Sequence, residues 1–179
     1  MQSPVKISRH RRSETAPVDD ILSLLEGRVF HVTKDDYLPS ILADKKVKPN
    51  ADGALPTTFG SSSNAYFRKR GCVALFDYRA TPTEEIHFHR SKCWPLMPAR
   101  DCRNGIAILM LKPEACDALI PWGDSKKDGM SSEMVVPHVE AGYPGPISID
   151  LIDEIVCLKL EEDPHCLAAR LRAAQNVER

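Results

Sequence analysis

The chain has no run of apolar residues approaching the roughly 18 that cross a bilayer as a helix, so no membrane span is expected. It has no apolar h-region behind Lys6, Arg9, His10, Arg11 and Arg12, which argues against a secretory leader and points to a cytoplasmic protein. Neither a G-x-G-x-x-G fingerprint nor a Walker loop occurs, which argues against nucleotide sites of those two types. There is no internal repeat and no low-complexity tract. Excess charge is also missing. With 24 Lys and Arg against 25 Asp and Glu, the net charge of -1 is not the footprint of a protein that coats nucleic acid. The standard paired spacings of zinc ligands are absent, and no Ser-His-Asp triad can be argued from spacing.

What is present is globular. The 179 residues suit one domain, and a chain of that length buries about 70% of the surface its unfolded form exposes. It can therefore hold a core without staples. The six cysteines (Cys72, Cys93, Cys102, Cys116, Cys157 and Cys166) are scattered, several of them in apolar runs. They read as reduced thiols, mostly filling core.

Residues 1–17 read as a basic N-terminal arm, either a phosphate-binding tail or a solvated terminus, and residues 18–179 as a single domain. Residues 18–26 place Ile21, Leu24 and Leu25 on one helical face, and Gly27 ends that helix. Residues 28–32 alternate like a short strand. Thr33 then suits an N-cap for a helix through Leu38, Ile41 and Leu42, which Pro39 obliges to start late. Residues 49–65 are loop. Strands are expected over 72–78, 105–111, 133–136 and 152–160, a short helix over 113–119, loop over 121–130 and a closing helix over 163–175. Residues 80–104, rich in Pro, His, Arg and Cys, read as irregular. Strands and helices do not alternate strictly, so the fold class is α+β rather than doubly wound.

Two positions draw chemical attention. His31 ends a strand, where its ring can face a cleft, and the strand-to-helix junction beyond it offers backbone groups that a flat amide could bind. A satisfied strand-end histidine is the plain alternative. Glu133 follows Ser131 and Ser132 at the mouth of an apolar strand. It is either an edge-strand charge or a carboxylate that can stabilise a sugar cation in a dissociative substitution.

Three stretches taken together resemble the ADP-ribosyltransferase superfamily, and in particular its DarT-like, nucleic-acid-modifying toxins. They are FHVTKDDYLPSILADKKVKPN from Phe30, SSSNAYFRKRGCVALFDYR from Ser61, and SSEMVVPHV with IDLIDEIVCLKL near the end. The resemblance implies a compact split-sheet fold with short flanking helices, and NAD as the cofactor. It implies that His31 binds the ribose, that Thr33 helps dock the nicotinamide, and that Tyr66 stacks on the nicotinamide ring, unless Ser61 to Ser63 take that place. It implies that Glu133 stabilises the ribosyl cation. Arg68, Arg70 and Arg79 are all candidates for the arginine beside the NAD phosphates. The resemblance also implies a toxin or antiphage-defence role, with an antitoxin partner.

Basic residues near this region (Lys45, Lys46, Lys48, Arg68, Lys69 and Arg70) favour DNA or RNA as acceptor, with protein as the second option. His87 and His89 alternate, which in an extended segment puts both on one face, where they would line the cleft and touch a phosphate or a base. With Cys93 and Cys102 they are also the right ligand types for zinc, and hence for a rival metal-dependent hydrolase or nuclease. Trp94 and Trp122 each neighbour proline and read as loop anchors or base-stacking platforms. The remaining rivals are a binding module of the same fold without chemistry and an NAD glycohydrolase.

Overall fold

The computed structural model describes residues 5–13, 19–55, 63–92, 105–127 and 133–161. Among the described residues nine strands form two sheets: β1 (Lys6–Ser13), β2 (Val29–Lys34), β3 (Lys46–Val47), β4 (Cys72–Asp77), β5 (Ile106–Leu111), β6 (Ile120–Pro121), β7 (Glu140–Pro144), β8 (Ile147–Ser148) and β9 (Ile152–Glu161). Five α-helices accompany them among the described residues: α1 (Asp19–Leu22), α2 (Leu38–Asp44), α3 (Tyr66–Lys69), α4 (Thr83–Lys92) and α5 (Asp124–Lys127). Seven strands make the main sheet in the order β1-β9-β5-β2-β4-β7-β6, and β3 pairs with β8 in the small one. Only β1 and β9 run parallel; the other pairs are antiparallel. The architecture is mixed α and β, as the sequence predicts. No helix among the described residues is long and apolar enough to cross a membrane.

The main sheet is covered on both faces. Phe30, Val32, Ile106, Ile108, Met110, Val156 and Leu158 point to one side and pack with Ile21, Leu25, Tyr78 and Ile86. Val73, Leu75, Ala107, Leu109, Ile155 and Cys157 point to the other and pack with Leu38, Val47, Cys116 and Ile147. Double burial explains why β5 reads as an unbroken apolar run, since all six of its residues are buried. Cys72, Cys116 and Cys157 are free and buried, as core-filling thiols should be.

The sheet forks between β2 and β4. Their ladder has only two rungs, Val29 to Asp77 and Phe30 to Phe76. Beyond them β2 stays paired with β5 as far as Lys34, and β4 stays paired with β7 back to Cys72. The far half of β2 and the near half of β4 therefore face each other without a ladder. Such facing edges hold backbone polar groups available to a ligand.

Several expectations are corrected. Lys6–Ser13 is not an arm but an edge strand. Its cations are held by acids: Lys6 by Glu154, Arg9 by Asp35, Arg11 by Glu161 and Arg12 by Asp20. These pairs are solvent-exposed and balance the charge of the segment. Residues 83–92 are helical rather than irregular, with Glu84 and Glu85 in the first turn, where they complement the helix dipole. Residues 133–136 contribute a single bridge, Ala65 to Met134, rather than a strand. The loop expected over 121–130 contains α5. Thr33 lies inside β2 and caps nothing; the next turn, Asp35–Tyr37, begins after Lys34 without a side-chain cap. The helix expected over 163–175 lies outside the described residues.

Candidate functional site

Four of the singled-out residues converge where α3 meets β4. Met134 donates its backbone N–H to Asn64 O, and its carbonyl accepts from Tyr66 N–H, both at 2.9 Å. This bridge lays Glu133 against α3. Gly71 then turns the chain into β4 with φ at 66°, a left-handed value that glycine adopts without strain. The result is that Arg70 and Lys69 both reach Glu133, 63 residues away for Arg70.

Arg70 Nη1 donates to Glu133 Oε2 at 2.8 Å, and Lys69 Nζ lies 3.1 Å from Oε1. The Glu133 side chain is only 3% exposed. Burial works to raise its pKa, but the hydrogen bonds from Arg70 and then Lys69 outweigh burial and hold it below the ordinary glutamate value. The group is thus an ionised carboxylate, its side chain little exposed, on a residue of intermediate burial. The Arg70 guanidinium carbon sits 3.6 Å from the centre of the Tyr66 ring, a cation–π stack that fixes it. Tyr66 in turn meets Phe67 edge-on at 4.9 Å.

Tyr66 is 1% exposed, and Arg70 covers a face of its ring. It therefore offers no open face to a nicotinamide, and the expected stacking role is corrected: Tyr66 is a platform for Arg70. Ser61 lies outside the described residues, as do Ser62, Ser131, Ser132 and Trp94. Ser63 is exposed.

His31 stands where the sheet forks. Its Nδ1 lies 2.9 Å from the carbonyl oxygen of Ala74 on β4, so that Nδ1 carries the hydrogen and Nε2 is left as an acceptor. Burial lowers its pKa, with the Ala74 contact opposing, so the ring is neutral at physiological pH. Thr33 is buried two residues further along β2, opposite Ala107. The partners of His31 and Glu133 are thus distinct: Ala74 for one, Lys69 and Arg70 for the other.

The three arginines are separated by their surroundings. Arg79 is bound by Asp77 at 2.7 and 3.0 Å, beyond the end of β4 opposite to Arg70. Five residue steps of strand at about 3.3 Å each divide the two ends. Arg68 donates from Nε to Asn50 O at 2.8 Å and braces the turn at Gly53, where a Cβ would collide with its guanidinium. Arg70 alone of the three touches Glu133.

His87 and His89 do not share a face, because their segment is a helix. His87 is exposed, whereas His89 is 5% exposed and packs against Phe76 and Tyr78. Tyr78 Oη and His89 Nδ1 are 2.5 Å apart, and His89 Nε2 is buried with no hydrogen-bond partner. Burial lowers its pKa to about 4. A buried neutral ring under α4 cannot touch a surface phosphate. Cys93 and Cys102 lie outside the described residues. Among the described residues, no group of three His, Cys, Asp or Glu converges as a metal site. Trp122 packs its ring against His138, with centroids 4.6 Å apart.

Glu140 was not signalled by the sequence. Its Oε2 accepts from Val136 N–H at 2.6 Å while its own N–H donates to Val136 O at 3.1 Å. This double contact clamps the turn that carries Glu133 into β7. Burial pushes the carboxyl up to about 7, the Val136 contact opposing. No local pattern marks it, since the partner is backbone.

No family model matches the chain, and neither a curated protein nor a solved structure does.

Proposed function

We propose that this protein is an NAD-dependent ADP-ribosyltransferase with the split-sheet fold of the DarT-like branch, and that its acceptor is DNA or RNA. One observation carries the reading: an ionised Glu133, its side chain little exposed, held by a Tyr66-stacked Arg70 beside the end of β4, on a sheet that forks at a neutral His31. Burying a charge is unfavourable unless it is paired, and removing it with its partners is often neutral or stabilising.

The chemistry follows from the charges. In the reaction the bond between ribose C1′ and the nicotinamide nitrogen breaks, and nicotinamide leaves with the bonding electrons. The acceptor attacks C1′ and releases a proton. Positive charge develops on the ribose in between, and a carboxylate fixed beside it stabilises that charge without reorganising. Glu133 takes that role. His31, with Nε2 as an acceptor, receives a ribose hydroxyl hydrogen bond. The facing edges of β2 and β4, with Thr33 on the half of β2 that has left β4, receive the carboxamide. Arg70 holds Glu133 in place. Lys45 and Lys46 are exposed on the chain leading away from α2, where a polyanionic acceptor would meet them.

A toxin or defence role in the cytoplasm, with an antitoxin partner, follows from the DarT-like resemblance. The metal-dependent hydrolase reading is weakened by the opposite placement of His87 and His89. The test is incubation with NAD labelled in its adenylate half, together with DNA, RNA or cell protein in separate tubes. Label is expected on one nucleic acid. Label on protein alone would replace the acceptor assignment, and label on nothing without nicotinamide release would refute the transferase.

A further inference from the structure

An aromatic pair is held on fixed backbone at one edge of the main sheet. Trp122 follows β6, the last strand in that sheet's order, whose Ile120 and Pro121 pair with Gly142 and Ala141 of β7. The Trp122 carbonyl accepts from Ser125 N–H at 3.1 Å and from the Ser125 hydroxyl at 2.7 Å, and Ser125 is itself buried. His138 stands in the turn that leads from Glu133 into β7. The two contacts between Val136 and Glu140 clamp that turn. The next residue, Val139, is buried, and its carbonyl accepts from Asp77 N–H at 2.7 Å. The Thr81 hydroxyl, which donates to Asp77 O at 2.7 Å, also lies 3.3 Å from His138 O. Within this frame His138 has φ at 66°, a left-handed value uncommon outside glycine. Such outliers persist where the surroundings over-determine them, and they gather at ligand clamps. The side chain held in this way sets its ring 4.6 Å from the Trp122 ring, centre to centre, on a residue that is exposed.

We propose that the His138 ring, backed by Trp122, is a stacking platform for a nucleobase. Every base has a π-face, so a ring fixed in place binds single-stranded nucleic acid without a sequence code. The proposal deepens the transferase reading by placing part of the acceptor. It rests on that reading for the acceptor's identity, though not for its geometry. His138 is five residues from Glu133, so their Cα atoms are at most about 18 Å apart. A few nucleotides of single strand cover that distance. With its reacting nucleotide at Glu133, the strand lays a nearby base on His138, which fixes its register while C1′ is attacked. The adenine of NAD is a second source of the same chemistry.

The test follows the His138 ring by NMR in full-length protein carrying ¹³C-labelled histidine, its Cε1–Hε1 signal being assigned by its loss in His138→Asn. Asparagine tolerates the left-handed backbone but has no ring, and circular dichroism shows that the variant is folded. The probes are a short mixed-sequence single strand in DNA and RNA forms, an abasic strand of the same length, and AMP. A base stacked on the ring moves the signal upfield. Movement with the base-bearing strand and not with AMP assigns the acceptor as source, movement with AMP and not the strand assigns the donor's adenine, and movement with both shows a platform open to either. No movement with any probe, or equal movement with the abasic strand, overturns the proposal. In parallel, anisotropy of a dye-labelled strand at fixed salt should show binding about tenfold weaker in His138→Asn for the base-bearing strand, the scale of one lost base–aromatic stack, and unchanged for the abasic strand. Equal weakening of both strands, or of neither, also overturns it. If label from NAD reaches no nucleic acid while the His138 signal moves, the transferase reading fails and the platform stands. If label reaches nucleic acid and the signal stays in place, the platform alone fails.

Discussion

Glu140 and His89 titrate in opposite senses, and this makes the pH dependence of stability a sharp test of the structure. His89 has its folded pKa lowered to about 4 from 6.5. As pH falls below 6.5 the unfolded chain takes up the proton first, so stability is lost between 6.5 and about 4. At about 1.4 kcal/mol per pH unit that loss is about 3 kcal/mol. Glu140 has its folded pKa raised to about 7 from 4.5. Here the folded chain holds the proton longer, so stability is full below 4.5 and is lost as pH rises to about 7, again by about 3 kcal/mol. Between pH 4.5 and 6.5 the two slopes cancel. Carboxylates with lowered pKa, such as Asp20, Asp44 and Glu133, exert their effect below this window. Glu140→Gln keeps an oxygen for the Val136 N–H but cannot ionise. Urea unfolding at pH 4.5, 5.5 and 6.5 should therefore show Glu140→Gln gaining about 3 kcal/mol more than wild type as pH rises over the window, on top of a rise from buried His31 that both proteins share. His89→Gln should deviate from wild type in the opposite sense, by a similar amount. Parallel profiles for wild type and Glu140→Gln would refute the burial argument for Glu140.

Other consequences are simpler. Gly142→Ala should destabilise by about 1–3 kcal/mol through overpacking, because a Cβ there would enter the Phe67 ring; thermal unfolding reads this directly. Arg70→Lys removes the planar stack on Tyr66, and nicotinamide release should fall about fivefold, the worth of one cation–π contact. Replacing Lys6 or Arg11 by alanine should cost less than about 1 kcal/mol each in urea, because both pairs on β1 are solvent-exposed.

The inner strands were legible because burial on two faces writes itself as apolar runs: CVALF, GIAILML and EIVCL each became a strand. The edge strand β1 was not, because it is held to β9 by backbone pairing and by ion pairs with distant acids, neither of which leaves a local period. α4 was missed for a different reason. Two of its inward residues are Ile86 and a histidine, so its apolar stripe is faint, although the Thr-Pro-Thr-Glu-Glu run that leads into its first turn is a helix-start signal. Gly71 and Gly27, both with positive φ, mark turns where the sequence places glycine. Within the site, sequence could nominate Glu133, Arg70 and Tyr66 separately. It could not pair them across 63 residues, nor show that the Tyr66 ring is covered by the guanidinium beside it.

The central claim is that the carboxylate of Glu133 does chemistry on NAD. Its most direct test is release of nicotinamide from NAD, in the presence of nucleic acid, by wild type and by Glu133→Gln of equal thermal stability. Loss of about a hundredfold or more in the variant, the scale of removing one preorganised electrostatic group, is the predicted result. Equal release by both proteins, or release by neither, would contradict it.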